Sequence, residues 1–286
     1  MLRAQTFLTL IVASIVCAAS FSGESAFDFT KQAVAFGPRP SGSDAIHKLQ
    51  ALIAAELKKD GCELTEDAFV AKTPKGEIAM KNLLCKFPAK SGKAIVISGH
   101  YDTKLYPGRR FVGANDGGSS TGFLLELARA LKGQPRIDDV YIAFLDGEEA
   151  TGEWSDTDSV YGSKHLAARW QREGFAAKIK ALINVDMIGD RSLNIKQEPL
   201  SNARLTRLIW GIAADLGYQA NFVDDSLEIE DDHLPFIKAG IPSVDLIDFD
   251  YPPWHEDNDT MDKLSPRSFE IVGNVVMETI RKIEKP

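Results

Sequence analysis

Ala94-Ile95-Val96-Ile97-Ser98-Gly99-His100-Tyr101-Asp102 is the stretch on which the fold turns. Its first five residues form a mostly apolar run without polar alternation, the pattern of a strand covered on both faces. A glycine, a histidine and an acid follow at once. The same two-part pattern returns three times. The apolar run at 140–145 leads into Asp146-Gly147-Glu148-Glu149, the run at 181–185 into Asp186, and the run at 241–247 into Asp248. Helical patterns lie between these runs. Residues 119–131 carry Phe123, Leu124, Leu127 and Leu131 on one face, residues 161–173 follow the second run, and residues 203–216 follow the third. A last helix is expected over 268–283. The alternation predicts an α/β three-layer sandwich with a mostly parallel central sheet flanked by helices. No repeat, low-complexity tract or linker divides the chain.

Upstream of this frame, Met1-Leu2-Arg3 and the apolar run at 7–16 (FLTLIVASIV) precede the small residues Ala18, Ala19 and Ser20. That is the layout of a secretory signal peptide over residues 1–20, with one catalytic domain over 24–286. The run is far shorter than the roughly 20 apolar residues of a membrane span, and no later stretch approaches that length. Cys17 lies in the leader, which leaves Cys62 and Cys85. An exported chain with two cysteines invites a bridge. They sit at the two ends of an expected hairpin, with strand-like residues 62–70 and 82–87 around the turn Thr73-Pro74-Lys75-Gly76; the alternative is two buried thiols. The formal charge of −8 has no Lys/Arg block to set against it, which argues against nucleic acid and anionic membrane as partners.

Polar residues gather where each strand is expected to end. His100, Asp102, Asp146, Glu148, Glu149, Asp186 and Asp248 all follow strand runs, and Asp116 stands at the start of the 119–131 helix. Ligands of open α/β sheets bind beyond the carboxyl ends of strands. Taken singly, each acid reads as a solvated loop residue, and Asp116 as a helix cap. Taken together they would repel one another unless a cation neutralised them, so a metal site is the better account.

His100-x-Asp102, Asn115-Asp116, Glu148-Glu149, Asn184-x-Asp186-Met187 and Trp254-His255 resemble, in that order, the motifs of the M28-type zinc aminopeptidases and of their relatives, the animal-type glutaminyl cyclases. The resemblance runs from about Asp28 to the C-terminus. It implies that Asp116, Glu149 and His255 hold one Zn²⁺; the aminopeptidases add a second ion through His100 and Asp186, with Asp116 bridging. Glu148 would be the general base and acid, with Asp186 and Asp232 the supporting catalytic acids. Adjacent side chains of an extended segment point apart, so Glu149 can ligate while Glu148 stays free. One histidine and two carboxylates with an open position suit a catalytic zinc.

Two chemistries remain open on this resemblance. A cyclase, with one zinc, closes an N-terminal glutamine on its own α-amine and releases ammonia. An aminopeptidase, with two, hydrolyses the first peptide bond. The segments at 67–76, 99–104, 111–114, 148–167 and 230–236 are similar to the cyclases, and Trp154 and Trp254 would wall the glutamine pocket. Asp245, where animal cyclases usually carry a histidine, and Gly117-Gly118-Ser119 depart from them. Peptide and protein N-termini are the expected substrates of an exported, monomeric enzyme. His165 is expected to pack or cap, His233 to orient the pocket or start a helix, and His47 to be exposed on a helix.

Overall fold

A six-stranded sheet in the order β1-β2-β4-β3-β5-β8 runs through the computed structural model, which describes residues 20–285. The four expected runs are β3 (Ala94–His100), β4 (Asp139–Leu145), β5 (Ile179–Asp186) and β8 (Ser243–Ile247), and all four pair in parallel. The hairpin of β1 (Glu63–Thr73) and β2 (Gly76–Phe87) adds the other edge, with β2 antiparallel to both β1 and β4. Only β2 therefore runs against the rest. A short parallel pair, β6 (Ile195–Gln197) and β7 (Phe222–Ser226), lies apart from this sheet.

The unbroken apolar runs have a direct structural cause. Successive side chains of a strand point to opposite faces. In β3, Ile95 and Ile97 enter one core while Ala94 and Val96 enter another. The first core is closed by α1 (Gly23–Val34), α2 (Asp44–Asp60), α3 (Gly118–Leu131), α5 (Ala203–Asp215) and α7 (Pro266–Glu284). The second is closed by α4 (Tyr161–Arg172) and α6 (His233–Lys238), through Leu166, Trp170 and Phe236. These are the three layers expected. α1 and α3 approach so closely that a Cβ on Gly122 would lie 2.0 Å from Thr30 Oγ1, so only glycine fits there.

Cys62 and Cys85 are joined, tying the residues just after α2 to the open end of the hairpin, late in β2. Residues 1–19 of the expected leader lie outside the described residues. Phe21 and Ser22, just ahead of the expected domain start, already belong to the fold. The Phe21 ring meets that of Phe123 at 5.0 Å, and the Ser22 side chain accepts a hydrogen bond from Ser25 N–H to cap α1. Among the described residues, no helix is long and apolar enough to cross a membrane.

Candidate metal centre

The carboxyl ends of β3, β4 and β5 deliver His100, Glu148, Glu149 and Asp186 to one place, and the loop ahead of α3 adds Asp116. His255 arrives from the loop after β8. Asp116 stands at the middle. Its Oδ1 lies 3.2 Å from His100 Nε2, and its Oδ2 lies 3.3 Å from His255 Nε2. Glu149 Oε1 is 3.2 Å from the same His255 nitrogen, and Asp186 Oδ1 is 3.1 Å from that of His100. Two groups that could each hold a metal ion thus share Asp116: Asp116–Glu149–His255 and His100–Asp116–Asp186, with the candidate donor atoms of each within 4.8 Å of one another.

Three features of this arrangement fit a divalent cation. The donors are imidazole nitrogen and carboxylate oxygen, the set that Zn²⁺ takes at catalytic sites. Asp116 Oδ2 is buried and accepts no hydrogen bond, an expensive state for a carboxylate oxygen without a cation. His255 has φ 58°, a left-handed conformation that a histidine rarely adopts and that clusters at functional sites.

Backbone clamps hold the donors in place. Asp102, at the end of β3, accepts the N–H groups of Glu148 and Glu149 at 3.2 and 3.3 Å. Asp259 accepts those of Asn115 and Asp116 at 2.9 and 3.2 Å. Asp116 is no helix cap, because the N-cap of α3 is Gly117, which makes no side-chain cap. Gly117 has φ 75°, and a Cβ there would sit 2.3 Å from the Asp102 carbonyl oxygen, so the turn between the clamp and the ligand requires glycine. Behind it, the fully buried Arg39 donates to the carbonyls of Gly37, Val112 and Gly113.

So many buried charges displace each other's protonation. Burial raises the Glu148 carboxyl well above its ordinary range; His100 opposes this and Glu149, Asp231 and Asp232 reinforce it. Burial likewise pushes Asp186 up to about 7, against the pull of His100. Asp116 goes the other way. Burial would raise it, but the neighbouring His100 and His255 hold it below the carboxylate range. For His255, burial works downward, yet Asp116 and Glu149 lift it to about 9. The cluster holds protons that a bound cation would displace.

A cavity of about 830 Å³ opens over this centre. Asp116, Glu148, Glu149, Asp186 and His255 line it, whereas His100 does not. His100 is 1% exposed and His255 20%. Trp154 and Trp254 form part of the wall and are 38% and 40% exposed, as pocket aromatics rather than core ones. Trp254 stacks on His255 at 4.2 Å, and Trp154 Nε1–H donates to Glu230 at 3.1 Å. Of the acids expected to do chemistry, Asp232 lies behind the wall, its Oδ1 accepting from Ser163 at 2.5 Å, and the lining position belongs to Asp231.

The other histidines lie outside this centre. His165 stacks on Phe69 and lies 3.2 Å from Asp67, His47 is exposed on α2, and the buried His233 starts α6 between Glu198 and Asp245. The clamping roles of Asp102 and Asp259 were not foreseen. Their acids were visible, but a carboxylate that accepts backbone N–H groups leaves no periodicity to read.

Residues 82–280 match the model of peptidase family M28. A glutaminyl-peptide cyclotransferase of Gloydius blomhoffii is 32% identical over 80% of this chain and 74% of its own length. Among solved structures, an Acidobacteriales bacterium glutaminyl cyclase superposes with a TM-score of 0.90 at 38% identity, covering 96% of this chain and 99% of that one. A leucine aminopeptidase precursor of Bacteroides thetaiotaomicron superposes at 0.83 with 27% identity, covering 93% and 99%.

Proposed function

Because the chain belongs to peptidase family M28, we propose that it is a zinc-dependent glutaminyl-peptide cyclotransferase, converting the N-terminal glutamine of a peptide to pyroglutamate. The observation that carries this reading is the sidedness of the centre. One complete ligand set, Asp116–Glu149–His255, faces the cavity with a free carboxylate, Glu148, beside it. Those three residues would hold the ion, which when bound supplies Lewis acidity toward the side-chain amide carbonyl.

The protein's own groups do the rest. The cavity orients the substrate so that its α-amine nitrogen bonds to the side-chain amide carbon as the bond to the amide nitrogen breaks. Glu148 takes the proton that the amine loses and returns one to the departing nitrogen, which leaves as ammonia. A buried carboxyl with a raised proton affinity is matched to both halves of that task. Asp186, on the cavity wall, supports the amine, and Asp232 acts from behind by its charge on Glu148. Trp154 and Trp254 confine the glutamine side chain.

A second reading rests on the other ligand set. His100, Asp116 and Asp186 could hold a further ion, which would make the centre that of a two-metal aminopeptidase. Incubating the protein with one Gln-initiated and one Leu-initiated peptide and weighing the products separates the two. Loss of ammonia from the first, with the chain intact, is expected; release of a free N-terminal residue overturns the cyclase reading. We also read residues 1–20 as an export leader to a single-domain, monomeric enzyme. The Cys62–Cys85 bridge suits an oxidising compartment.

A further inference from the structure

The wall of the cavity contains an acidic run that the cyclisation chemistry does not use. Residues 224–232 (DDSLEIEDD) hold six acids and no base. Asp225 is paired with Lys196 at 3.3 Å, and Asp224 accepts from Gln197 at 3.2 Å. Glu228 and Glu230 turn instead to the cavity, and Glu153 joins them from the loop after β4. The hydrogen bond from Trp154 to Glu230 ties these two loops together, so the three carboxylates share one rim. Glu153 and Glu228 are exposed and have no partner among the described residues.

The cations nearby do not cancel this. Lys104 lines the cavity but its ammonium is engaged by Glu149 at 3.7 Å and the Ala150 carbonyl at 3.4 Å. Arg109 is held by Glu256 and Asp257, both at 3.0 Å. Lys75, at the hairpin tip, is the one lining cation without an ion-pair partner among the described residues. Three rim carboxylates therefore face one free ammonium, and the excess lies around a mouth through which the residues following glutamine must emerge.

We infer that the cavity selects peptides carrying lysine or arginine directly after the N-terminal glutamine and discriminates against acidic residues there. The inference rests on the cyclotransferase reading for the identity of the first residue. A unit charge about 7 Å away changes an encounter roughly threefold in water, and physiological salt screens charges beyond about 8 Å. Two uncompensated carboxylates favour a cation about tenfold and disfavour an anion about tenfold relative to a neutral residue, on the order of eightyfold between the two at low salt.

Three peptides that differ only at the second residue, Gln-Lys, Gln-Ala and Gln-Glu, test it. Their kcat/KM values are compared at low and high ionic strength in the intact protein and in a Glu153→Gln/Glu228→Gln double variant. Both substitutions are at exposed positions. At low salt the order Lys, Ala, Glu is expected, with about tenfold between neighbouring members of the series. The ratio should shrink toward one in high salt and in the double variant. Equal rates for the Lys and Glu peptides at low salt, or a ratio that survives in the double variant, overturn the proposal. The order is read from whichever product forms. Release of glutamine in place of ammonia would overturn the cyclase reading alone, and ammonia release without a charge order would overturn this inference alone.

Discussion

Asp116 has two sides, and they are built differently. Toward Glu149 and His255 the centre opens on the cavity, His255 is partly exposed and strained, and the Asp116 oxygen on that side accepts no hydrogen bond. Toward His100 the centre is closed, with the imidazole nitrogen 3.2 and 3.1 Å from Asp116 and Asp186, although Asp186 itself also lines the cavity. Both sides carry ligand chemistry. His255 Nε2 is paired as His100 is, at 3.2 and 3.3 Å from Glu149 and Asp116, so what distinguishes the open side is room for a substrate. A set of metal-ligand residues is therefore not the same thing as a metal site. What separates them is whether a substrate can reach the donors.

The largest effects should come from breaking the open side. Asp116→Ala, Glu149→Ala and His255→Ala should each strip the zinc and abolish turnover, since three protein ligands leave none to spare. Metal analysis with activity assays checks this, and full metal content in any of the three would refute the assignment. Glu148→Gln should keep the metal yet lower kcat by two or more orders of magnitude, roughly the contribution of a general acid/base. Zinc lost in step with activity would make Glu148 a ligand instead.

His100→Ala probes the sealed side. It should retain zinc and lose activity by roughly ten- to a hundredfold, the range for groups that orient a ligand. Damage equal to that of His255→Ala would mean that both sides bind metal. Trp254→Ala removes the ring stacked on His255 and should reduce kcat/KM for a Gln peptide by about tenfold, with the metal retained. The smallest effect on the centre should follow opening of the Cys62–Cys85 bridge. Cys62→Ser/Cys85→Ser should cost about 3 kcal/mol of stability in denaturant unfolding, and leave zinc content as it was.

The same contrast governs what could be read in advance. Strands buried on both faces write themselves as unbroken apolar runs, so β3, β4, β5 and β8 and the acids at their ends were visible, as was the hairpin. The donors Asp116, Glu149, His255, His100 and Asp186 stand in ordered motifs and were named. Their division into an open and a sealed side was not. That depends on which side chains reach the cavity, a property of loops. Asp231 and Asp232 illustrate the limit, being adjacent and chemically identical while only the first lines the cavity. α1 was missed, and α2 was read only through His47, because amphipathic segments of ordinary composition, next to a leader, offer weaker periodicity than a fully buried strand.

Titrating zinc into metal-free protein while weighing the products of a Gln-initiated peptide tests the central claim most directly. The account predicts that ammonia release saturates at one zinc per chain and that the peptide keeps its length. Activity that appears only with a second ion, together with release of the first residue, would contradict it.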